Sequence, residues 1–437
     1  MKQECLKELD NCSRCGKCRS VCPVFGEVLD ERLVARGRLA LLEAYLKGDI
    51  EDSEKLRNAL DECLMCLRCE ENCPSGVNVR KLLAFGREKS GKSPLNFIVS
   101  KLIFRFGLQF RTFYDIAVWL MASAQALLKH LEIVPSSMQR HLPLYLFQLR
   151  RVPDMPRKSA LKLLPGRQIY KDAKMKVAVF TGCLGNYVYP DVIKSLCGVL
   201  DSLHISYIIP KEQLCCGVPA FFYGDPKSAF YLARKNVTAL KMDDVDAVLS
   251  PCASCARMLK TGYKELFNRF AGDEKFAHRP EKVMDIIEFL DRYIDLDVLL
   301  TEYIEEDGEI EPDRMRRLRI DKKVTYHKPC HLSWDGADEA NRRILRQMAD
   351  YVESPEGNLC CGGGGLFSAK YEDLSSKIAV KKIKSIERSG AEIVATPCPG
   401  CMMQIRENMK TAGLPGKVLH PVELLNELLK AKAKNRG

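Results

Sequence analysis

"CLMCLRCEENCP", Cys63 to Pro74, sets four cysteines in twelve residues at steps of three, three and four, and a proline closes the run. Nearly the same run, "CSRCGKCRSVCP", occupies Cys12 to Pro23. Twenty cysteines in 437 residues are more than packing needs. Disulfides explain such content mainly in small secreted domains. This chain is long and begins "MKQECLKELDNC", without the apolar stretch of a secretory signal. Reduced thiols in the cytoplasm are therefore expected, and metal binding is the reading to test.

Each run has the spacing C-x2-C-x2-C-x3-C-P. Three thiolates from one tight turn can grip one face of an iron–sulfur cube. The fourth, displaced by the proline turn, reaches a neighbouring cube, as in two-cluster ferredoxins. Cys12, Cys15, Cys18 and Cys73 are therefore assigned to one [4Fe-4S] cluster, and Cys63, Cys66, Cys69 and Cys22 to the other. The run occurs twice because each completes the other's site. A pair of zinc sites is the alternative, but zinc prefers two C-x2-C pairs per site. Between the runs, "DERLVARGRLALLEAYLKGD" and "SEKLRNALDECL" carry apolar residues at helical spacing, with Ser53 as a helix cap. Residues 1–90 are expected to form an all-α, ferredoxin-like two-cluster domain.

Outward from that domain, residues 91–172 contain no cysteine, are rich in Phe, Tyr and Leu, and are broken by Pro135, Pro143, Pro153, Pro156 and Pro165. Between Ser90 and Lys176 stand 15 Lys/Arg and 4 Asp/Glu, so this segment holds the whole net charge of +11. A basic helical connector is expected. Its most apolar stretch, Ile116 to Leu128, is 13 residues, too short to span a membrane, and reads as a core or interfacial helix. Its aromatics fall among aliphatics in helical stretches, so nucleic acid is not an expected partner.

From Ala173 strands alternate with helices, the texture of α/β units. The second half then repeats the first. "FTGCLG" matches "YHKPCHL", "QLCCGVPAFF" matches "NLCCGGGGLF", and "DAVLSPCASC" matches "EIVATPCPGC", at offsets of 147, 145 and 146 residues. "KVMDIIEFL" and "KVLHPVELL" agree as well. This is an internal duplication, expected as residues 173–300 and 301–437 of an α+β multidomain chain. The acidic stretch "EYIEEDGEIEPD" between the halves reads as a solvated loop.

Each repeat supplies five cysteines: Cys183, Cys215, Cys216, Cys252 and Cys255, then Cys330, Cys360, Cys361, Cys398 and Cys401. All fall at strand ends, just before helices, where helix N-termini favour thiolate and an anionic group. Four ligands would suffice for zinc or a cube; a fifth asks for more. The spacings C-x31-CC-x35-C-x2-C and C-x29-CC-x36-C-x2-C resemble the cysteine-rich CCG domain of heterodisulfide reductases, and that resemblance implies one or two noncubane [4Fe-4S] clusters. Zinc in one repeat, or reduced cysteines alone, stay open. His327 and His331 flank Cys330 and read as proton relays or as structural neighbours of the site. Cys197 reads as a core residue, and Cys5 as incidental. "CCGGGGL" lacks the context of a phosphate loop.

The order of parts resembles the iron–sulfur subunit of glycolate oxidase and the related subunits of D-lactate dehydrogenases and lactate-utilisation systems. The resemblance rests on the ferredoxin pair, "ARGRLALLEAYLKGD", "CPSGVNV", a basic connector ending in "VPDMPRKS" and two CCG repeats. It covers nearly the whole chain. It implies an electron-transfer subunit that works with an FAD-containing 2-hydroxy-acid dehydrogenase, delivering electrons to a quinone or other acceptor. No nucleophile triad, metalloprotease helix or flavin fingerprint is found, so no residue is assigned a catalytic role in hydroxy-acid oxidation. Many members of that group, as the family pattern implies, lack one cysteine of a final C-x2-C; here both pairs are intact. That departure draws the sequence towards the catalytic subunits of membrane-bound heterodisulfide reductases. A quinone-linked anchor subunit like that of anaerobic glycerol-3-phosphate dehydrogenase is a third resemblance. The expected location is the cytoplasm, with peripheral attachment to the inner face of the cytoplasmic membrane. A further expected partner is a membrane or quinone-reactive subunit.

Overall fold

The structure is a computed structural model that describes residues 1–91, 101–130, 155–271, 279–306, 309–332 and 336–435. Within residues 1–91 the regular elements are helices. Helices Lys2–Asp10, Ala35–Lys47, Glu54–Asp61 and Val79–Lys89 bury Leu42, Leu60, Leu82 and Leu83 against one another, with Cys5 in the same core. The Ser53 hydroxyl accepts from the Leu56 amide at 3.3 Å, the cap expected of it. Arg38 is buried on helix Ala35–Lys47 and donates to the carbonyls of Ala59 and Glu62 at 2.7 and 2.6 Å. It thereby ties that helix to the turn that begins the second cysteine run.

Residues 92–100 and 131–154 of the expected connector lie outside the described residues. Its described part includes helix Arg111–His130, which lies against the first repeat.

The rest of the chain is built on two parallel sheets. The first uses β1 (Arg167–Gln168), β2 (Lys176–Val179), β3 (Ser206–Ile208), β4 (Ala247–Ser250) and β5 (Val283–Asp285) in the order β1-β3-β2-β4-β5. All neighbours are parallel except the edge strand β1. Val177, Ala178 and Val179 are fully buried, as befits a central parallel strand covered on both faces. The acidic stretch read as a loop is instead an antiparallel ribbon of β6 (Thr301–Glu306) and β7 (Glu309–Arg317). Thr301, Tyr303, Ile304 and Ile310 favour extended backbone and outweigh the acidic composition. The second sheet uses β8 (Ile320–Tyr326), β9 (Ala349–Tyr351), β10 (Ile393–Ala395) and β11 (Lys417–Leu419) in the order β11-β10-β8-β9, all parallel.

β2, β3, β4 and β5 thus correspond in place and direction to β8, β9, β10 and β11, and the duplication in the sequence is a duplication of fold. The halves share one core. The C-terminal helix Pro421–Asn435 packs across helix Pro190–Ser202 of the first repeat, burying Leu424 and Leu425 with Leu196 and Leu200.

Candidate metal centres

Both N-terminal runs curl in the same way. Arg14 and Gly16 in the first, and Met65 and Leu67 at the same places in the second, adopt left-handed backbone with φ of 54°, 81°, 51° and 62°. Three of these are not glycine, so the turns hold some conformational strain. The first curl encloses a pocket walled by Cys12, Cys15, Cys18 and Cys73 with Leu39 and Val77. The second is walled by Cys22, Cys63, Cys66 and Cys69 with Val24, Leu64 and Leu83. In each pocket the opposite run supplies a thiol, Cys73 in the first and Cys22 in the second. Cys69 borders both, so the two pockets share a wall.

In the repeats the cysteines gather at the carboxyl ends of the strands, where open α/β sheets leave a crevice. Cys183 follows β2 and Cys252 follows β4; Cys330 follows β8 and Cys398 follows β10. Cys252 and Cys398 each stand at the N-cap of the next helix. Because the repeats face each other, nine of their ten cysteines line a single cavity of about 250 Å³, which also reaches Cys63 and Cys66. The tenth, Cys215, lines an adjoining pocket with Cys183.

The buried thiols polarise one another. Cys216 is drawn down to about 6, because the Cys215 and Cys255 thiols donate to its sulfur. Cys361 is likewise held low by Cys360 and Cys401, and Cys398 by Cys252 and Cys401. Sulfurs held as thiolate in advance are what a cationic metal group binds. The Cys361 and Cys401 sulfurs are 3.8 Å apart. Gly182 has φ +63°, and a Cβ there would lie 2.9 Å from the Cys255 sulfur, so backbone approaches this donor set as closely as a glycine permits. Five thiols line the first N-terminal pocket and four the second, and each repeat supplies five, which suits iron–sulfur groups in number and chemistry.

The thiol sets are in series. The N-terminal pockets share Cys69; the Cys66 thiol donates to Cys330; the Cys252 thiol donates to Cys398. The second repeat's set therefore lies between the N-terminal domain and the first repeat's set.

His331 fastens this junction. Its Nε2 lies 2.8 Å from the Met65 carbonyl, which can only accept, so Nε2 carries the proton and Nδ1 accepts from the Ser254 hydroxyl at 2.8 Å. Burial pushes its imidazole down to about 4, so it stays neutral. It is a bridge between three parts of the chain. Arg87, unnoticed in the sequence, is another: it donates to the carbonyls of Leu60, Asp61 and Cys63 and, at 2.7 Å, to that of Phe222 in the first repeat. The available signal was an arginine on the apolar face of helix Val79–Lys89. Cys197 lies outside the sets, buried in helix Pro190–Ser202.

Comparison with known proteins places these features in a family context. A family model described as a cysteine-rich domain matches residues 177–260 and again 324–406, and one described as a 4Fe-4S dicluster domain matches residues 8–77. The chain is 30% identical over 434 residues to a probable glycolate oxidase iron–sulfur subunit of Bacillus subtilis, covering 96% of this chain and 94% of that one. It is 26% identical over 426 residues to the glycolate oxidase iron–sulfur subunit of Escherichia coli, covering 96% and 93%. It is also 31% identical over 255 residues to a lactate utilization protein of Geobacillus, covering 58% of this chain and 99% of that one.

Proposed function

The chain belongs to the family of glycolate oxidase iron–sulfur subunits, and on that footing we propose that it is the electron-carrying subunit of a flavin-dependent dehydrogenase for glycolate or D-lactate. The observation that carries this reading is the series of four thiol sets that runs from exposed Cys15 into the protein interior. Iron–sulfur clusters take and release single electrons, whereas a flavin removing hydride from a 2-hydroxy acid delivers two at once.

Cys12, Cys15, Cys18 and Cys73 hold one [4Fe-4S] group in a ferredoxin-like domain, and Cys22, Cys63, Cys66 and Cys69 the second. The five cysteines of each repeat hold noncubane groups. The side chains orient and seal: Leu64 and Leu83 shield the second N-terminal pocket from water, and His331 and Arg87 fix the distance to the repeats. The partner is an FAD-containing protein that binds and oxidises the hydroxy acid. Among the described residues no helix is long and apolar enough to cross a membrane. Attachment to the inner face of the cytoplasmic membrane, near a quinone-reactive acceptor, is peripheral in this reading.

The test is reconstitution. The purified chain does not oxidise glycolate or D-lactate. With its flavoprotein partner added, either substrate bleaches the iron–sulfur absorbance of the chain. A complex in which the two proteins associate and no bleaching follows would remove the reading.

The cavity lined by nine of the ten repeat cysteines favours a second reading, reduction of a disulfide between the repeats by this chain itself. Its test is disulfide turnover with a chemical electron donor and no flavoprotein. Turnover there, without response to hydroxy acid in the complex, would make it the better account.

A further inference from the structure

The two repeats differ in one donor. His327 stands three residues before Cys330, and the same place before Cys183 is Phe180. Both side chains are fully buried. Phe180 belongs to the apolar cluster that includes Cys215, Cys216, Cys252 and Cys255. Neither ring nitrogen of His327 meets an oxygen or nitrogen partner among the described residues, and its polar neighbour is the Cys361 sulfur. A ring nitrogen and the sulfurs of Cys361 and Cys401 all lie within 4.8 Å of one another. The residue is held by its main chain: its amide donates to the Ala395 carbonyl at 2.9 Å, fixing it between β8 and β10.

This buried imidazole faces only sulfur, and a ring nitrogen left without a partner is costly unless something occupies it. Imidazole is a good ligand for both iron and zinc. We propose that the second repeat holds its metal group with a mixed sulfur–nitrogen set, the His327 imidazole acting with Cys361 and Cys401, while the set in the first repeat is sulfur only. The inference rests on the reading that the second repeat binds metal. The second repeat keeps all five cysteines, so the imidazole is a sixth donor; where it takes a position that a thiolate fills in the first repeat, the site carries less negative charge, the change that raises the potential when histidine replaces cysteine in iron–sulfur centres. The duplicated domain thus carries two sites with unequal donor sets.

The experiment uses the full chain purified without oxygen and labelled with ¹⁵N-histidine. Metal content is compared with that of Cys401→Ser, and the loss assigns metal to the second repeat. Where that metal is iron, pulsed EPR of the reduced protein is expected to show one directly bonded imidazole nitrogen. Where it is zinc, absorption at the zinc edge is expected to show a nitrogen at roughly 2.0–2.1 Å. His327→Phe, which installs the first repeat's residue, is expected to abolish that nitrogen and leave the first repeat's signal unchanged. His327→Gln serves if the phenylalanine variant does not fold. Metal in the second repeat with only sulfur neighbours, with nitrogen coupled only weakly as through a hydrogen bond, or with a nitrogen that survives both substitutions overturns the proposal. No metal lost in Cys401→Ser overturns the underlying reading as well.

Discussion

Gly182 and Asp285 show how much single positions carry. At Gly182 a methyl group meets the Cys255 sulfur and the backbone is left-handed. Gly182→Ala is expected to destabilise the protein by about 1–3 kcal/mol through backbone strain and a displaced sulfur. It should empty the first repeat of metal while the metal held by the eight N-terminal cysteines is kept. Metal analysis beside a denaturant curve checks this, and full metal content would mean the sulfur has room to move. Asp285 caps helix Ile286–Tyr293 by accepting from the Ile287 amide at 2.9 Å. Burial pushes its carboxyl up to about 8. The unfolded chain gives up this proton near the ordinary carboxylate range and the folded chain keeps it until about pH 8. Stability therefore falls as pH rises between those limits, by up to about 1.4 kcal/mol per pH unit. Asp285→Asn keeps a capping oxygen and removes the proton. Its melting temperature should gain on the parent between about pH 6 and pH 8 and gain no more above that. A constant difference across this range would show that Asp285 is already ionised in the fold.

Among the elements, helix Arg111–His130, expected as a core or interfacial helix, turns an apolar side outward. Its polar residues point inward: Asp115 accepts from the Tyr187 hydroxyl at 2.6 Å and pairs with Lys162 at 3.3 Å, and Arg111 donates to the Lys211 carbonyl. Phe113, Ile116, Trp119 and Leu120 are each more than half exposed. At positions i, i+3, i+6 and i+7 they form one outward apolar stripe. Joined to the +11 of the segment, this is the composition of a surface that lies on anionic lipid. The protein is expected to float with anionic vesicles at low salt and not with neutral ones. Phe113→Ser with Trp119→Ser should cut binding by roughly tenfold or more, since each aromatic contributes about 1–2 kcal/mol when buried. Equal flotation of the double variant would put the lipid contact elsewhere, and binding to the flavoprotein in place of vesicles would make this stripe the face that meets that partner.

At the scale of the molecule, the N-terminal domain is fixed to both repeats. Arg80 pairs with Glu265 at 3.3 Å, Arg269 with Glu88 at 2.8 Å, and Lys370 with Asp61 at 2.8 Å. These are partly exposed and individually weak. Buried Arg87 matters more, because removing it strands several carbonyls at the junction. Arg87→Met is expected to cost about 3 kcal/mol or more and to weaken magnetic coupling between the N-terminal centres and those of the repeats. A denaturant series and EPR relaxation on one preparation check both; a stability loss with coupling intact would limit Arg87 to a local role. Gly224 belongs to the same contact: its φ is +82°, and a Cβ there would lie 2.5 Å from the Arg87 backbone. At this scale the cysteine sets become a series rather than a collection.

The sequence by itself determined what is local or periodic. Ligand spacing sits within twelve residues, so the eight N-terminal cysteines stood out as candidate ligands from the sequence. Strand and helix periods, repeated at a constant offset, sufficed for the duplicated α/β architecture. Only the tertiary structure decided how these parts meet. His331 reaches Met65 across 266 residues, and the Cys66 thiol finds Cys330. Neither leaves a trace in spacing, because nothing in a local pattern records which surfaces a second domain will cover. The inward polar face of helix Arg111–His130 was hidden for the same reason: an apolar run reads as buried until its neighbours are known. The inequality of the two repeats lay in plain view as histidine against phenylalanine. It became chemistry only when folding brought that imidazole within 4.8 Å of two sulfurs and left it no other partner among the described residues.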